Sequence, residues 1–279
     1  MGYHFYTNDT QLYLSFDSQG GDKEALAASQ VEPCACDIDN WMCCNKLQLN
    51  GDKSELLVIC SQYRPRPLLS SLTIGCSVVQ SSASACNLGV VLDDGLTFEK
   101  HISATCKLAF YHLKRIAKIR SYLSEESTIV LIHAFITCRV DNGNALLYRL
   151  PKYQIQRLQS VQNCATRLVK CYPKFSHTSP LLPELHWLPV EHRIVFKILL
   201  VVFKSLNNLV PSYISDLLTP YIPSRSLRSS SQSLLLVPRS IQKSYGGRAF
   251  AAAAPWLWNA LPIHMRQPGF SLANFKKCL

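Results

Sequence analysis

From Thr97 to Leu123 the chain reads TFEKHISATCKLAFYHLKRIAKIRSYL, and here its pattern turns helical. At about 100° per residue, Ile102, Ala109, Leu113, Ile116 and Leu123 fall in one arc, which predicts a core-facing stripe. Lys107, Tyr111, Lys114, Arg115 and Lys118 fall in the opposite arc, and Arg120 lands on the apolar side near the helix end. Upstream the chain alternates short apolar runs with turns; downstream it is helical. The expected fold class is therefore α+β in front and mainly α behind.

Upstream, Leu12, Leu14 and Phe16 alternate with polar residues after the corner Asn8-Asp9-Thr10, so residues 5–16 read as a β-hairpin. Residues 25–46 read as a helix weakened by Pro33, with Ile38, Trp41 and Met42 inward. A turn at Asn50-Gly51-Asp52 precedes an expected strand, Leu56–Cys60, and two more are expected at Leu72–Val79 and Asn87–Leu92. Downstream, Ser124 is the expected N-cap of a helix that turns Ile129, Ile132, Phe135 and Ile136 inward. Pro151 and Pro189 open two further helices. The first carries Leu158, Val161, Ala165 and Leu168 on one side, with Arg157, Arg167 and Lys170 as cations; the second has a narrow basic line at Arg193, Lys197 and Lys204. Ser224–Ser233 reads as exposed loop, and a short helix with Trp256 and Trp258 in the core closes the chain. There is no internal repeat.

The 279 residues are 48% hydrophobic and 17% charged, enough apolar content for a buried core. Residues 1–100 hold 6 Lys and Arg against 12 Asp and Glu; residues 101–279 hold 23 against 6, a net of +17. A strongly basic half points to a polyanion partner, with a merely solubilising surface as the plain alternative. No apolar run is long enough to span a bilayer, and the opening residues show neither a secretory signal nor a myristoylation signal. An intracellular protein, nuclear or cytoplasmic, without a membrane partner is expected. The twelve cysteines lack paired C-x-x-C spacing, so reduced thiols in packing roles are expected rather than zinc or disulfides.

Phe5-Tyr6-Thr7-Asn8-Asp9-Thr10-Gln11-Leu12-Tyr13 resembles the catalytic hairpin of non-LTR retrotransposon reverse transcriptases of the jockey-like and chicken-repeat-like kind. That family reads aromatic-Ala-Asp-Asp-Thr-Gln-Leu-Tyr there. Further similar segments come in the family's order: Trp41–Asn50 with Lys53-Ser54-Glu55, Asn87–Asp93, Ala134-Phe135-Ile136, Leu146–Pro151, Leu158–Asn163, Glu184–Val190 and Ala252–Pro262. The resemblance implies a right-hand RNA-directed DNA polymerase entered inside its palm. Residues 1–96 would be a truncated antiparallel palm sheet, 97–172 a helical thumb and 173–279 a helical and irregular C-terminal region. Template–primer duplex, dNTP and Mg²⁺ are the family's partners, substrate and cofactor.

Polymerisation uses two divalent metals about 3.5–4 Å apart, which need several carboxylates to offset their repulsion. The family supplies one Asp from an earlier palm strand and two from the hairpin. Here the earlier strand has no counterpart, and Asn8 stands in place of the first hairpin Asp, leaving Asp9 as a weak metal ligand. A catalytically inactive fragment is the expectation. The competing reading has Asp93 or Asp94 substituting, and Asn8-Asp9 also suits a plain polar turn.

By resemblance Lys53 would approach nucleotide phosphates and Gly89 would let backbone approach the primer; their plain readings are a turn lysine and a strand glycine at a bulge. Lys107, Lys114, Arg115 and Lys118 can contact phosphates, with Tyr111 packing on a sugar or base. His186 is expected to be a partly buried, satisfied histidine. The alternatives left open are a non-enzymatic helical interaction module and a truncated piece of an active polymerase.

Overall fold

Two left-handed turns reshape the strands of the first third. Gly75 and Gly89 have φ of 58° and 78°, a region that glycine enters without steric cost. Each cuts an expected strand into a hairpin. The computed structural model describes residues 1–6, 9–16, 21–61, 65–75, 77–223, 232–238, 246–267 and 269–279, which divide into two compact units, 1–101 and 102–279. Its class is α+β.

In the first unit β1 (Gly2–Tyr6) pairs antiparallel with β2 (Asp9–Tyr13), a hairpin set three residues nearer the N-terminus than expected. Helix α1 (Gly21–Cys44) continues through Pro33 and buries Ala27 and Ala35. Ile38 and Met42 are half-buried, but Trp41, expected inward, is 61% exposed. The two small alanines, not the larger side chains, make the close approach. The expected strand at Leu56 stops after two residues, β3 (Leu56–Leu57). It pairs parallel with β5 (Ser77–Ser82), which pairs antiparallel with β4 (Ser71–Ile74). β6 (Ser84–Asn87) and β7 (Val90–Asp93) form the last hairpin, with Leu88 and Gly89 both left-handed in its two-residue turn. Among the described residues the strands thus form three small sheets, not one antiparallel sheet.

Much of this unit's acidity serves backbone. Glu24 accepts from Leu68 and Leu69 N–H, Glu32 from Thr73 at the edge of β4, and Glu55 from Cys86 in β6. In sheets this small, carboxylates satisfy edge donors that a neighbouring strand would otherwise take. Asp93 does the most. Only 7% exposed, it accepts from Thr97 N–H at 2.8 Å, Thr97 Oγ1 at 2.8 Å and Phe98 N–H at 2.7 Å. It thereby holds a turn in which Leu96 and Phe98 have φ of 45° and 58°.

Burial pushes the Asp93 pKa up, but these hydrogen bonds outweigh it and hold the carboxyl below its ordinary 3.8. His101, 6% exposed, accepts from Val91 N–H through Nδ1, and burial pushes its pKa below 6.5. A depressed folded pKa means the unfolded chain binds protons first, so both groups lose stabilisation as pH falls. For Asp93 this begins below 3.8, for His101 below 6.5. Asp93→Ala should cost about 2–3 kcal/mol in urea denaturation at neutral pH. Replacing His101 with Gln should reduce, not abolish, the stability decline expected from about pH 7 to about pH 5, because burial also holds the His133 pKa below its ordinary value.

The second unit is helical. Helix α2 (Glu99–Ile119) begins just inside the first unit and turns Ile102, Cys106, Ala109, Leu113 and Ile116 into the core at i, i+4, i+7 spacing. Leu123, expected on the same stripe, lies beyond the helix and is half-buried. Ser124 caps α3 (Glu125–Ile132), accepting from Ser127 N–H. The coil then widens to π geometry over His133–Thr137 before the short α4 (Cys138–Val140). The extra residue of a π-turn rotates every later residue of the helix. Ile132 and Ile136 stay buried, whereas Phe135, expected inward, is 42% exposed and stacks on His112 at 5.1 Å.

Pro151 sits at the N-cap of α5 (Lys152–Lys170) and Pro189 at that of α7 (Val190–Leu206), each one residue ahead of its helix. Along α5 the buried face includes Gln154, Leu158, Val161, Gln162, Ala165, Thr166 and Val169, while Leu168 is half-buried. Its glutamines tie the two helices together: Gln162 Nε2 donates to Leu188 O and Gln159 Oε1 accepts from Val190 N–H, the first orphan donor of α7. Two of the segments that carry the resemblance are therefore bonded to each other.

Between them, α6 (Leu181–Glu184) ends with His186 at φ 54°, His186 N–H donating to Pro183 O and Trp187 N–H to Leu182 O. His186 is exposed rather than partly buried, and its role is this backbone turn. After α8 (Ser212–Ser215), α9 (Phe250–Asn259) packs on α7, and α10 (Ile263–Arg266) and α11 (Leu272–Cys278) complete the unit. Trp258 is 2% exposed, but Trp256, expected in the core, is 53% exposed, with the Arg149 guanidinium 5.5 Å from its ring. Most of the loop expected at 224–233 lies outside the described residues. The eleven described cysteines are free, and Cys106 alone is buried, so packing is not their usual role. No helix among the described residues is long and apolar enough to cross a membrane.

Candidate nucleic-acid interface

Because the core stripe of α2 fixes its rotation, the opposite face must look outward. Lys107, Tyr111, Lys114, Arg115 and Lys118 are all exposed, as their spacing predicts. The Arg115 guanidinium lies 5.6 Å from the centre of the Tyr111 ring, and its Nη1 donates to Tyr111 Oη at 2.9 Å. That pair holds a flat, cation-backed aromatic surface between Lys107 and the helix's last turn. None of the four cations makes an ion pair with a described carboxylate.

The cations of α5 are placed differently. Arg157 donates to Ser103 Oγ at 2.8 Å, Arg167 to Ser176 O at 2.9 Å, and Lys170 pairs with Glu125 at 2.7 Å and Glu184 at 3.8 Å. On α7, Arg193 forms a two-pronged pair with Asp141. The basic excess of this half is thus divided between cations that hold the fold together and cations left facing solvent.

Beside the α2 stripe, a cleft of about 580 Å³ opens between α2 and α5. Leu113, Ala117 and Leu168 line its apolar part; Lys114, Arg167 and Lys174 bring positive charge, and no described acidic residue lines it. Tyr172, 51% exposed, stands at its edge. Sequence periodicity could not reveal this cleft, because its two walls lie about fifty residues apart and each helix reads correctly without the other.

The other residues singled out by sequence lie in the first unit on separate elements. Asp9 opens β2 and is exposed, while Asn8 lies outside the described residues. Lys53 is the exposed last residue of a 3₁₀ turn (Gly51–Lys53) capped by Asn50 Oδ1, and Gly89 occupies a hairpin turn rather than a bulge in a strand. Asp93 is engaged by Thr97 and Phe98, and Asp94 pairs with Arg66 at 2.8 Å. Among the described residues no three His, Cys, Asp or Glu side chains are grouped to hold a metal ion. Comparison with protein-family models, curated proteins and solved structures finds no match to this chain.

Proposed function

We propose that the chain is a piece of a reverse-transcriptase-like protein whose α2 face holds a nucleic-acid duplex and which does not itself polymerise DNA. The carrying observation is the row of exposed cations around Tyr111 that have no acidic partners among the described residues. In this reading residues 1–96 are the rear of a palm, 97–172 a thumb and 173–279 the C-terminal region. Lysine and arginine on one helix face displace the counterions of a phosphate backbone, and the aromatic ring packs against sugar or base. Such contacts position a duplex without reading its sequence. The absence of polymerase activity follows from charge: Asp9 alone cannot offset two divalent cations. Both acids that could substitute, Asp93 and Asp94, are engaged elsewhere.

RNA–DNA hybrids of unrelated sequence should bind with equal affinity in fluorescence anisotropy, and primer extension with Mg²⁺ and dNTPs should yield no product. A preference of more than tenfold for one sequence, or robust synthesis by the unaltered chain, would refute the proposal. A helical interaction module is the second reading, favoured by Leu108, Phe110 and Ile119, which are 38%, 36% and 46% exposed on α2. Binding to such a face would rise with salt rather than fall.

A further inference from the structure

Arg266, at the end of α10, is a buried cation that no described carboxylate neutralises. It is only 9% exposed. Its Nε donates to Leu261 O at 3.1 Å and its Nη1 to Gln232 O at 2.8 Å, while Nη2 has no hydrogen-bond partner among the described residues. Residues 217–279 contain no aspartate or glutamate side chain. Nη2 is not sealed from solvent, so this largely buried guanidinium keeps one donor open, and two carbonyls leave its full charge uncancelled.

Arg266 also lines a cavity of about 330 Å³, within the range of small-ligand sites. Phe203, Leu235, Trp258 and Phe270 supply apolar wall, and Gln267 adds an exposed amide. The wall is firm: Phe203 stacks on Phe275 at 4.3 Å, and Trp258 Nε1 donates to Ser233 O at 2.9 Å. Asn259 holds Leu235 through both its N–H and its C=O. Among the described residues Arg266 is the one Lys, Arg or His lining the cavity, so its charge balances a monoanion and not a phosphate dianion.

We infer that this cavity binds a small monocarboxylate with an apolar body, the carboxylate on Arg266 and the body against Phe203, Leu235 and Trp258. The site is separate from the nucleic-acid reading and stands without it. Isothermal titration calorimetry of the full chain with octanoate and with its neutral isostere octanamide tests it. Octanoate should bind one to one and at least tenfold more tightly than octanamide, and Arg266→Met should erase that difference. Gln267→Glu changes an exposed side chain and should cut the octanoate preference several-fold, a result that stands even if the Met variant does not fold. No octanoate binding, equal affinity for the two compounds, a preference that survives Arg266→Met, or one unmoved by Gln267→Glu would each overturn the inference.

Discussion

Replacing Arg120 with Met should lower stability by about 2–3 kcal/mol, although the side chain pairs with no acid among the described residues. Its guanidinium is a clamp: Nε donates to Leu168 O at 2.9 Å, Nη2 to Val169 O at 2.7 Å and Nη1 to Leu123 O at 2.7 Å. Leu168 and Val169 lie in the last turn of α5, whose carbonyls have no partner within the helix and carry the negative end of its dipole. Met keeps the side chain's bulk but leaves three acceptors without their charged donor. For a unit of this size the loss corresponds to a melting temperature about 4–12 °C lower. Arg120→Lys should recover less than half of it, because one ammonium cannot span three carbonyls. An unchanged melting temperature in the Met variant would show that water replaces the clamp.

Changing Lys107, Lys114, Arg115 and Lys118 together to Gln should weaken hybrid binding about 4 × 10³-fold at 0.1 M salt. The estimate assumes that each cation neutralises one phosphate and contributes about 0.9 to the slope of log affinity against log salt. Stability should change little, since these side chains are exposed and have no acidic partners among the described residues. The same change at Arg157, Arg167 and Lys170 should do the opposite, costing stability first, because those cations hold Ser103, Ser176 and Glu125. The contrast separates a binding surface from a merely basic one.

The stripe of α2 was legible because burial on a helix repeats every three or four residues, and the exposed cations are its complement. The cap at Ser124 was legible for a similarly local reason. Phe135 was misread because one inserted π-turn residue rotates everything after it, and no periodicity shows where a helix will widen. The strands at residues 72–79 and 87–92 were misread because Gly75 and Gly89 lack the Asn or Asp partner that usually marks a two-residue turn. Arg120 stood out only as a violation of the stripe; its carbonyl partners on α5 lie forty-eight and forty-nine residues away. The solitude of Arg266 needed both scales, a long acid-free segment in the sequence and a buried guanidinium in the fold.

The affinity of the unaltered chain for an RNA–DNA hybrid, measured from 50 to 200 mM salt, bears most directly on the role of α2. Four phosphate contacts predict a slope of about −3.6 and a loss of about 150-fold over that range, with the four-Gln variant nearly flat. No binding at 50 mM salt, or a slope that the four substitutions leave unchanged, would contradict the account.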